Sequence, residues 1–479
     1  MLESRNWIGG EWNTPTEGNL IVMNPSDLQE QVGVLHLSGK SDVLQAAQAA
    51  RMAFSGWAGL PAPKRGEHLL RLAVALEANL EELATLASRE MGKPITEMKG
   101  EVIRGVNLLK YYAAEGVRSF GSVIPAYDTN ILQYTKRVPL GVVGLITPWN
   151  FPVAIPIWKL APALICGNTV VWKPAEYASL TATKMAEIFH FAGLPDGVLN
   201  LVIGKGSRIG DTLLEECDLN AVSFTGSTGT GLRVASACAK RNIKYQTEMG
   251  GKNAAVVLKD ADLDKTVPAI LSGAFRSAGQ KCTATSRIIV EREIAPAFTE
   301  AMQKAVQSLN IRPALDPAAY LGPVASSSQF QSVMSYVQMA CEEAQVIAEC
   351  RQKVTESQGH YVYPLLVRGI ESNHALVQEE IFGPLAVMLE ADNYEHAVDL
   401  CNQSIFGLSA SVFTRDLSNG LRFLDDAQAG MVRVNQETAG VEYQSPFGGM
   451  KMSSSHSREQ GQAALDFYSD VKTCGISYT

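Results

Sequence analysis

Cys282 stands in Phe275-Arg276-Ser277-Ala278-Gly279-Gln280-Lys281-Cys282-Thr283-Ala284-Thr285-Ser286-Arg287, a polar, glycine-punctuated stretch just ahead of an apolar run. A thiol attacks only as a thiolate, so a nucleophilic cysteine needs access and nearby positive or hydrogen-bonding groups. Gly279 and Gln280 imply a turn that would expose the sulfur, and Arg276, Lys281 and Arg287 lie within a few residues. The competing reading is a small buried hydrophobe, the commonest state of a free cysteine. Metal chemistry has no support. The eight cysteines include no C-x-x-C pair, and the seven histidines are scattered without an H-E-x-x-H motif. That cysteine usage fits a reducing, cytoplasmic compartment.

Further candidates sit in loops behind short apolar runs. Val142 to Ile146, Thr169 to Trp172, Leu199 to Ile203 and Ala221 to Phe224 read as strands, with helices between at Val153–Ile165, Ser179–Ala192 and Ser207–Glu216. Strands separated by helix-length segments imply βαβ units and a parallel sheet, which binds ligands at the carboxyl ends of its strands. The loops there are Thr147-Pro148-Trp149-Asn150-Phe151-Pro152, Lys173-Pro174-Ala175-Glu176, Gly204-Lys205-Gly206-Ser207 and Thr225-Gly226-Ser227-Thr228-Gly229-Thr230-Gly231. Gly204, Gly206 and Gly210 miss the G-x-G-x-x-G fingerprint by one residue. The Gly226–Gly231 loop opens a helix, whose free N–H groups and dipole suit a phosphate; an ordinary strand-to-helix loop is its plain alternative.

The rest of the chain must position these groups. Its 479 residues exceed what one growing core supports, so two or three domains are expected. Helical periodicity covers Ser41 to about Ser88, interrupted at Pro61 and Pro63, and then Thr96 to Gly116. Ile131–Val138 reads as a protruding strand needing a partner. Gly250-Gly251 reads as a domain hinge. Beyond it come strands at Ala254–Leu258, Arg287–Val290, Tyr361–Val367 and Leu385–Leu389, and helices at Ile294–Leu309 and around Ser326–Ala348. Glu379-Glu380 alone would be a solvated turn, and the tail after Gln462 a helix at Ala463–Tyr468 followed by strand. A net charge of -8 without basic blocks disfavours nucleic acid. The apolar runs are too short to span a membrane.

Six ordered motifs then resemble the aldehyde dehydrogenase superfamily over nearly the whole chain: Pro148-Trp149-Asn150-Phe151-Pro152, Lys173-Pro174-Ala175-Glu176, Phe224-Thr225-Gly226-Ser227-Thr228, Glu248-Met249-Gly250-Gly251-Lys252, Gly279-Gln280-Lys281-Cys282 and Glu380-Ile381-Phe382-Gly383-Pro384. The resemblance implies an α/β fold with a Rossmann-like parallel-sheet cofactor domain (1–118 and 140–250), a second α/β catalytic domain (251–435) and a small β oligomerisation arm (119–139 and 460–479). Homodimers or homotetramers are implied with it. So is oxidation of an aldehyde to a carboxylic acid: Cys282 attacks, Asn150 stabilises the oxyanion and Glu248 activates the hydrolytic water. For the cofactor it implies Lys173 and Glu176 at the adenosine ribose, Ser227 at the pyrophosphate, Glu380 at the nicotinamide ribose and Phe382 near its ring, with Thr147, Trp149, Gly206 and Gly226 beside them. A carboxylate at Glu176 would repel a 2′-phosphate, which favours NAD and leaves NADP as the alternative.

For substrate, Arg276 matches an arginine that succinate-semialdehyde-type members use for a carboxylate, a task suited to a guanidinium. Trp158 replaces that subgroup's second arginine, so a longer or keto-bearing acid semialdehyde fits better. The stretches Glu437–Gly449 and Ser453–Gly461 resemble α-ketoglutaric semialdehyde (2,5-dioxopentanoate) dehydrogenases, although common members carry glycine near Ser454. One alternative is a broad aliphatic or aromatic aldehyde dehydrogenase, with Phe151, Trp158 and Phe447 lining an apolar tunnel. Two others are a non-catalytic structural protein of the same fold, and a CoA-acylating enzyme, which would typically lack the base that Glu248 supplies.

Overall fold

The computed structural model describes residues 2–118, 121–350, 354 and 358–478. The parts of the expected regions at 1, 119–120, 351–353, 355–357 and 479 lie outside the described residues.

Two seven-stranded sheets carry the molecule. The first runs, in spatial order, Lys244–Glu248, Ala221–Thr225, Val142–Thr147, Thr169–Pro174, Leu199–Leu201, Asn6–Ile8 and Glu11–Asn13. Its first five strands are parallel, and the N-terminal hairpin closes the edge antiparallel. The chain winds outward from Val142–Thr147 on one side, then returns to Ala221–Thr225 on the other. The strand order therefore reverses between these two, at the position where doubly wound sheets bind ligands. Alternation along the strands explains the double cover: Val143, Leu145, Val170 and Trp172 enter one core, while Val142, Val171 and Val222 enter another on the opposite face.

Helix Ile95–Glu115 lies in the first of these cores through Met98, Val102, Val106, Leu109 and Tyr112. It crosses helix Ala154–Ile165 closely, because a side chain at Gly105 would come within 2.6 Å of Ile157. Ala154–Ile165 is buried on every side, as its nearly all-apolar sequence requires.

The second sheet runs Gln345–Glu349, Leu365–Arg368, Leu385–Ala391, Thr285–Glu291, Asn253–Val257, Ser409–Phe413 and Met431–Val434. All of its pairings are parallel except the first. The helix read around Ser326–Ala348 is shorter than expected. It spans Ser327–Glu343, Ala344 turns extended, and the β-branched pair Val346-Ile347 joins the sheet edge. The strand read at Tyr361–Val367 begins only at Leu365, and the helix at Ser207–Glu216 becomes a π-helical turn from Thr212. Ile131–Pro139 finds its partner within the chain, pairing antiparallel with Ser469–Ser477 along its whole length. No helix among the described residues is long and apolar enough to cross a membrane.

Asn168 ties these parts together at the start of the central strand. Its Oδ1 accepts from the N–H groups of Leu140 (2.7 Å) and Gly141 (3.0 Å), and its Nδ2 donates to the carbonyls of Ala163 (3.1 Å) and Tyr468 (2.8 Å). Asn168→Ala takes this partner from the Leu140 and Gly141 N–H groups and the Tyr468 carbonyl, while the Ala163 carbonyl keeps the residue 168 N–H, and a loss of about 2–4 kcal/mol is expected. A thermal melt indistinguishable from the parent would contradict it.

Candidate active site

Cys282 follows a strained turn. Ser277, Ala278 and Gly279 have φ of 54°, 53° and 70°, three successive left-handed residues of which only one is glycine. Glu97, from the helix Ile95–Glu115, holds the turn: its Oε1 accepts from the Ser277 N–H at 3.0 Å and its Oε2 from the Ser277 hydroxyl at 2.6 Å. Gly279 has no room for a side chain, since a Cβ would stand 2.2 Å from the Gly383 carbonyl. Gln280 is buried and spans from the Ser277 carbonyl to the Ala325 N–H. On the far side, Asn253 Nδ2 donates to the Cys282 carbonyl at 2.8 Å.

Asn150 approaches from the loop after strand Val142–Thr147. Its Nδ2 donates to the Gln280 carbonyl at 3.0 Å, two residues before Cys282, which leaves its second amide hydrogen free. The loop is braced by a buried ion pair that the sequence did not advertise. Lys93 Nζ meets Glu101 Oε2 at 2.6 Å, the Asn150 carbonyl at 2.6 Å and the Phe151 ring at 3.7 Å. Glu101 Oε1 accepts from the N–H groups of Val153 and Ala154, at the start of the buried helix.

Cys282, Asn150, Trp149, Gly226, Ser227, Glu380 and Phe382 line one cavity of about 240 Å³. Pro148, Thr225, Met249 and Gly250, which the motifs contain without a role, line it too, as do Ile155 and Gln329, which lie outside every motif. Gln329 had no local signal: it sits in the first turn of a long helix and donates to the Phe382 carbonyl at 2.8 Å. Phe382 (φ 56°) sets its ring edge-on to Trp149, with centroids 5.5 Å apart. Lys173, Glu176 and Gly206 form a separate group: Lys173 Nζ is 3.7 Å from Glu176 Oε1, which accepts from the Gly206 N–H at 3.0 Å. Thr147 does not line the cavity; its hydroxyl oxygen accepts from Trp172 Nε1 at 2.9 Å.

On its other side, Cys282 packs with Leu408, Met431, Val441 and Phe447, and the Phe447 ring lies 5.3 Å from that of Trp158. Arg276 does not line the cavity; its guanidinium stacks on Tyr320, 4.9 Å from the ring centroid.

The charges near Cys282 are the reverse of what its neighbours in sequence suggest. Arg287 turns away and gives its guanidinium to the carbonyls of Lys252, Leu400 and Cys401. Burial, then the carboxylates of Glu380 and Glu248, push the thiol well above its ordinary range. Glu248 is itself raised well above the usual carboxylate range, by burial and then by Glu459, against a hydrogen bond from Ser454 and the charges of Lys159 and Arg458. Burial raises Glu380 to about 7, opposed by the Gly251 N–H and Lys252. Lys252 is brought down to about 7 by burial and then Arg287, and its Nζ has no partner.

These residues fit a dinucleotide. Ser227 makes no side-chain cap to helix Thr228–Lys240 and lines the cavity with Gly226, so the leading N–H groups there are available to a phosphate. A cap-free helix at the switch point of a doubly wound sheet, opening on a cavity that holds a cysteine, places the chain among the dinucleotide-dependent oxidoreductases. Its sequence matches the model of the aldehyde dehydrogenase family over residues 12–474, and the chain belongs to that family. It is an NAD(P)-dependent aldehyde dehydrogenase. It is 47% identical over 472 residues to an alpha-ketoglutaric semialdehyde dehydrogenase of Bacillus subtilis, covering 98% of this chain and 97% of the relative. An alpha-ketoglutarate semialdehyde dehydrogenase of Haloferax volcanii is 38% identical, with 99% of both chains covered. Among solved structures, betaine aldehyde dehydrogenase of Staphylococcus aureus in complex with NAD+ superposes with a TM-score of 0.95 at 30% identity, covering 99% of this chain and 95% of that one.

A raised thiol has little thiolate at neutral pH and gains it only as pH climbs past the ordinary range. Iodoacetamide should therefore label exposed Cys341 before Cys282 in the cofactor-free protein. The Cys282 rate should still be rising at about pH 10, where a thiol of pKa about 8.5 has levelled off. Peptide mapping that finds a Cys282 plateau near pH 8 would refute this.

Proposed function

We propose that the aldehyde is an acid semialdehyde of the 2,5-dioxopentanoate class, oxidised through Cys282, Asn150 and Glu248. The observation that carries the mechanism is that Cys282 and Asn150 line one cavity, with Glu248 close enough to raise the Cys282 thiol. As thiolate, Cys282 adds to the aldehyde carbon. The oxyanion accepts hydrogen bonds from the Cys282 N–H and from the free hydrogen of Asn150 Nδ2. Bound NAD(P) supplies the hydride acceptor. Lys173 and Glu176 would hold its adenosine ribose, Ser227 and the helix N-terminus its pyrophosphate, and Glu380 and Phe382 its nicotinamide end. NAD is the first choice, because Glu176 would repel a 2′-phosphate. Glu248 takes a proton from the water that hydrolyses the thioester.

The choice of substrate is supported by likeness to the two semialdehyde dehydrogenases and by Arg276, whose stacking on Tyr320 leaves guanidinium edges for a carboxylate. A second reading, broad specificity, is favoured by the apolar set of Leu408, Met431, Val441 and Phe447 around Cys282. The same proposal includes a homodimer or homotetramer built through the arm, where Val123, Ile124, Leu132, Val471 and Ile476 are exposed. It also includes a cytoplasmic setting, in keeping with eight free cysteines.

Glu248→Gln should give one burst of reduced cofactor followed by slow turnover, since acylation precedes the step that needs a base. Full steady-state turnover in that variant would reassign the base. Arg276→Ala should lower kcat/KM for 2,5-dioxopentanoate by roughly tenfold to a hundredfold while sparing hexanal. Equal effects on both aldehydes would favour the broad-specificity reading.

A further inference from the structure

Three consecutive serines, 453–455, run beside the end of strand Lys244–Glu248, and each hydroxyl has a different target. Ser453 Oγ accepts from the Gly407 N–H at 3.0 Å, and Ser455 Oγ accepts from the Thr247 N–H at 2.8 Å. Between them, Ser454 Oγ accepts from the Gly449 N–H at 2.6 Å and donates to Glu248 Oε2 at 2.6 Å. The backbones are stitched as well: Met249 N–H donates to the Ser453 carbonyl at 2.7 Å and Ser455 N–H to the Thr247 carbonyl at 2.9 Å, around an antiparallel bridge of Glu248 with Ser454.

We propose that Ser454 is a positioning residue for thioester hydrolysis, holding Glu248 by one carboxyl oxygen so that proton transfer takes place at the other; this rests on the reading of Glu248 as the base. The direction of the hydrogen bonds requires it. The Gly449 N–H can only donate and an ionised carboxylate can only accept, so while Glu248 is the base the Ser454 hydroxyl hydrogen goes to Oε2. In that state Oε2 is an acceptor already in use. A proton on Glu248 therefore sits on Oε1, which is buried without a partner and lies 3.1 Å from where a Cβ on Gly448 would be. The same position lies 2.7 Å from Arg458 Cδ, so a side chain at residue 448 would crowd both Glu248 and Arg458. In the hydrolytic step the water oxygen bonds to the thioester carbon and its proton passes to Oε1. The C–S bond then breaks, its electron pair returns to Cys282, and the carboxylic acid leaves.

The charged and titratable groups acting on Glu248 are Glu459, Lys159, Arg458 and Cys282. Burial and Glu459 favour the protonated carboxyl, whereas Ser454, Lys159 and Arg458 favour the carboxylate. Removing the Ser454 hydroxyl therefore raises the pKa further, and Glu248 becomes a competent base only at higher pH.

The test follows the Cys282 thioester by intact mass of acid-quenched protein. Enzyme saturated with NAD is mixed with substoichiometric 2,5-dioxopentanoate or hexanal, whichever it oxidises, from about pH 6 to 10. Ser454→Ala is expected to form the thioester at the parental rate but lose it about tenfold more slowly at neutral pH, with the rising limb of the decay profile moved up by about one unit. Ser454→Thr, which keeps the hydroxyl, should restore both. Parental decay in Ser454→Ala, or equal slowing of acylation and decay with no shift in pH, would overturn the proposal. Slow decay in Glu248→Gln beside an unchanged Ser454→Ala would remove Ser454 alone, whereas parental decay in Glu248→Gln would remove the base itself and this proposal with it.

Discussion

The site exists because two sheets meet across a joint whose two middle residues have no side chains. Strand Lys244–Glu248 ends the first sheet, Asn253–Val257 starts the second, and Gly250 and Gly251 lie between. A Cβ on Gly250 would stand 2.2 Å from Glu380 Oε2, and one on Gly251 2.6 Å from the Cys282 carbonyl. Glu380 Oε1 also accepts from the Gly251 N–H at 3.1 Å. Read from sequence as a hinge, the pair is buried and packed against two site residues. Close approach, more than freedom of rotation, is what these glycines supply.

Around that joint, charge is buried where it orients backbone. Lys93–Glu101 and Lys159–Glu459 are nearly inaccessible ion pairs, and such pairs are weak contributors to stability once desolvation is counted. Their placement is more informative. Lys93 holds the carbonyl of Asn150, and Glu101 caps the helix that follows it. Glu459 exchanges backbone hydrogen bonds with Phe447, whose ring packs beside Cys282. The thiol has burial and carboxylates, and no arginine, among its strongest influences.

Much of this was legible in the chain. Val142–Thr147 and its parallel neighbours declare themselves as apolar runs between helices, and the six motifs bring Cys282, Asn150, Glu380 and Phe382 to one cavity. What stayed hidden lacks a local signature. Glu97 grips Ser277 from 180 residues away, and Ser454 reaches Glu248 from 206. In sequence Glu97 is an ordinary polar residue, and Ser454 stands out only as a serine where common family members carry glycine. Arg287 misled for a different reason: proximity along a strand does not decide which way a side chain faces. The helix ending at Glu343 was overrun because Val346 and Ile347 continue an apolar pattern that sheet pairing reinterprets.

The pairing of Ile131–Pro139 with Ser469–Ser477 also sets an order of assembly. The first strand leaves the ribosome more than 300 residues before its partner exists. At about 5–20 residues per second, that edge waits for tens of seconds with its N–H and C=O groups unclaimed along one side. Lys136 and Arg137, placed mid-strand, put positive charge on the waiting edge, where it discourages pairing with another nascent chain. The arm is therefore the last sheet to close, and its composition suits a strand that must remain unpaired until then.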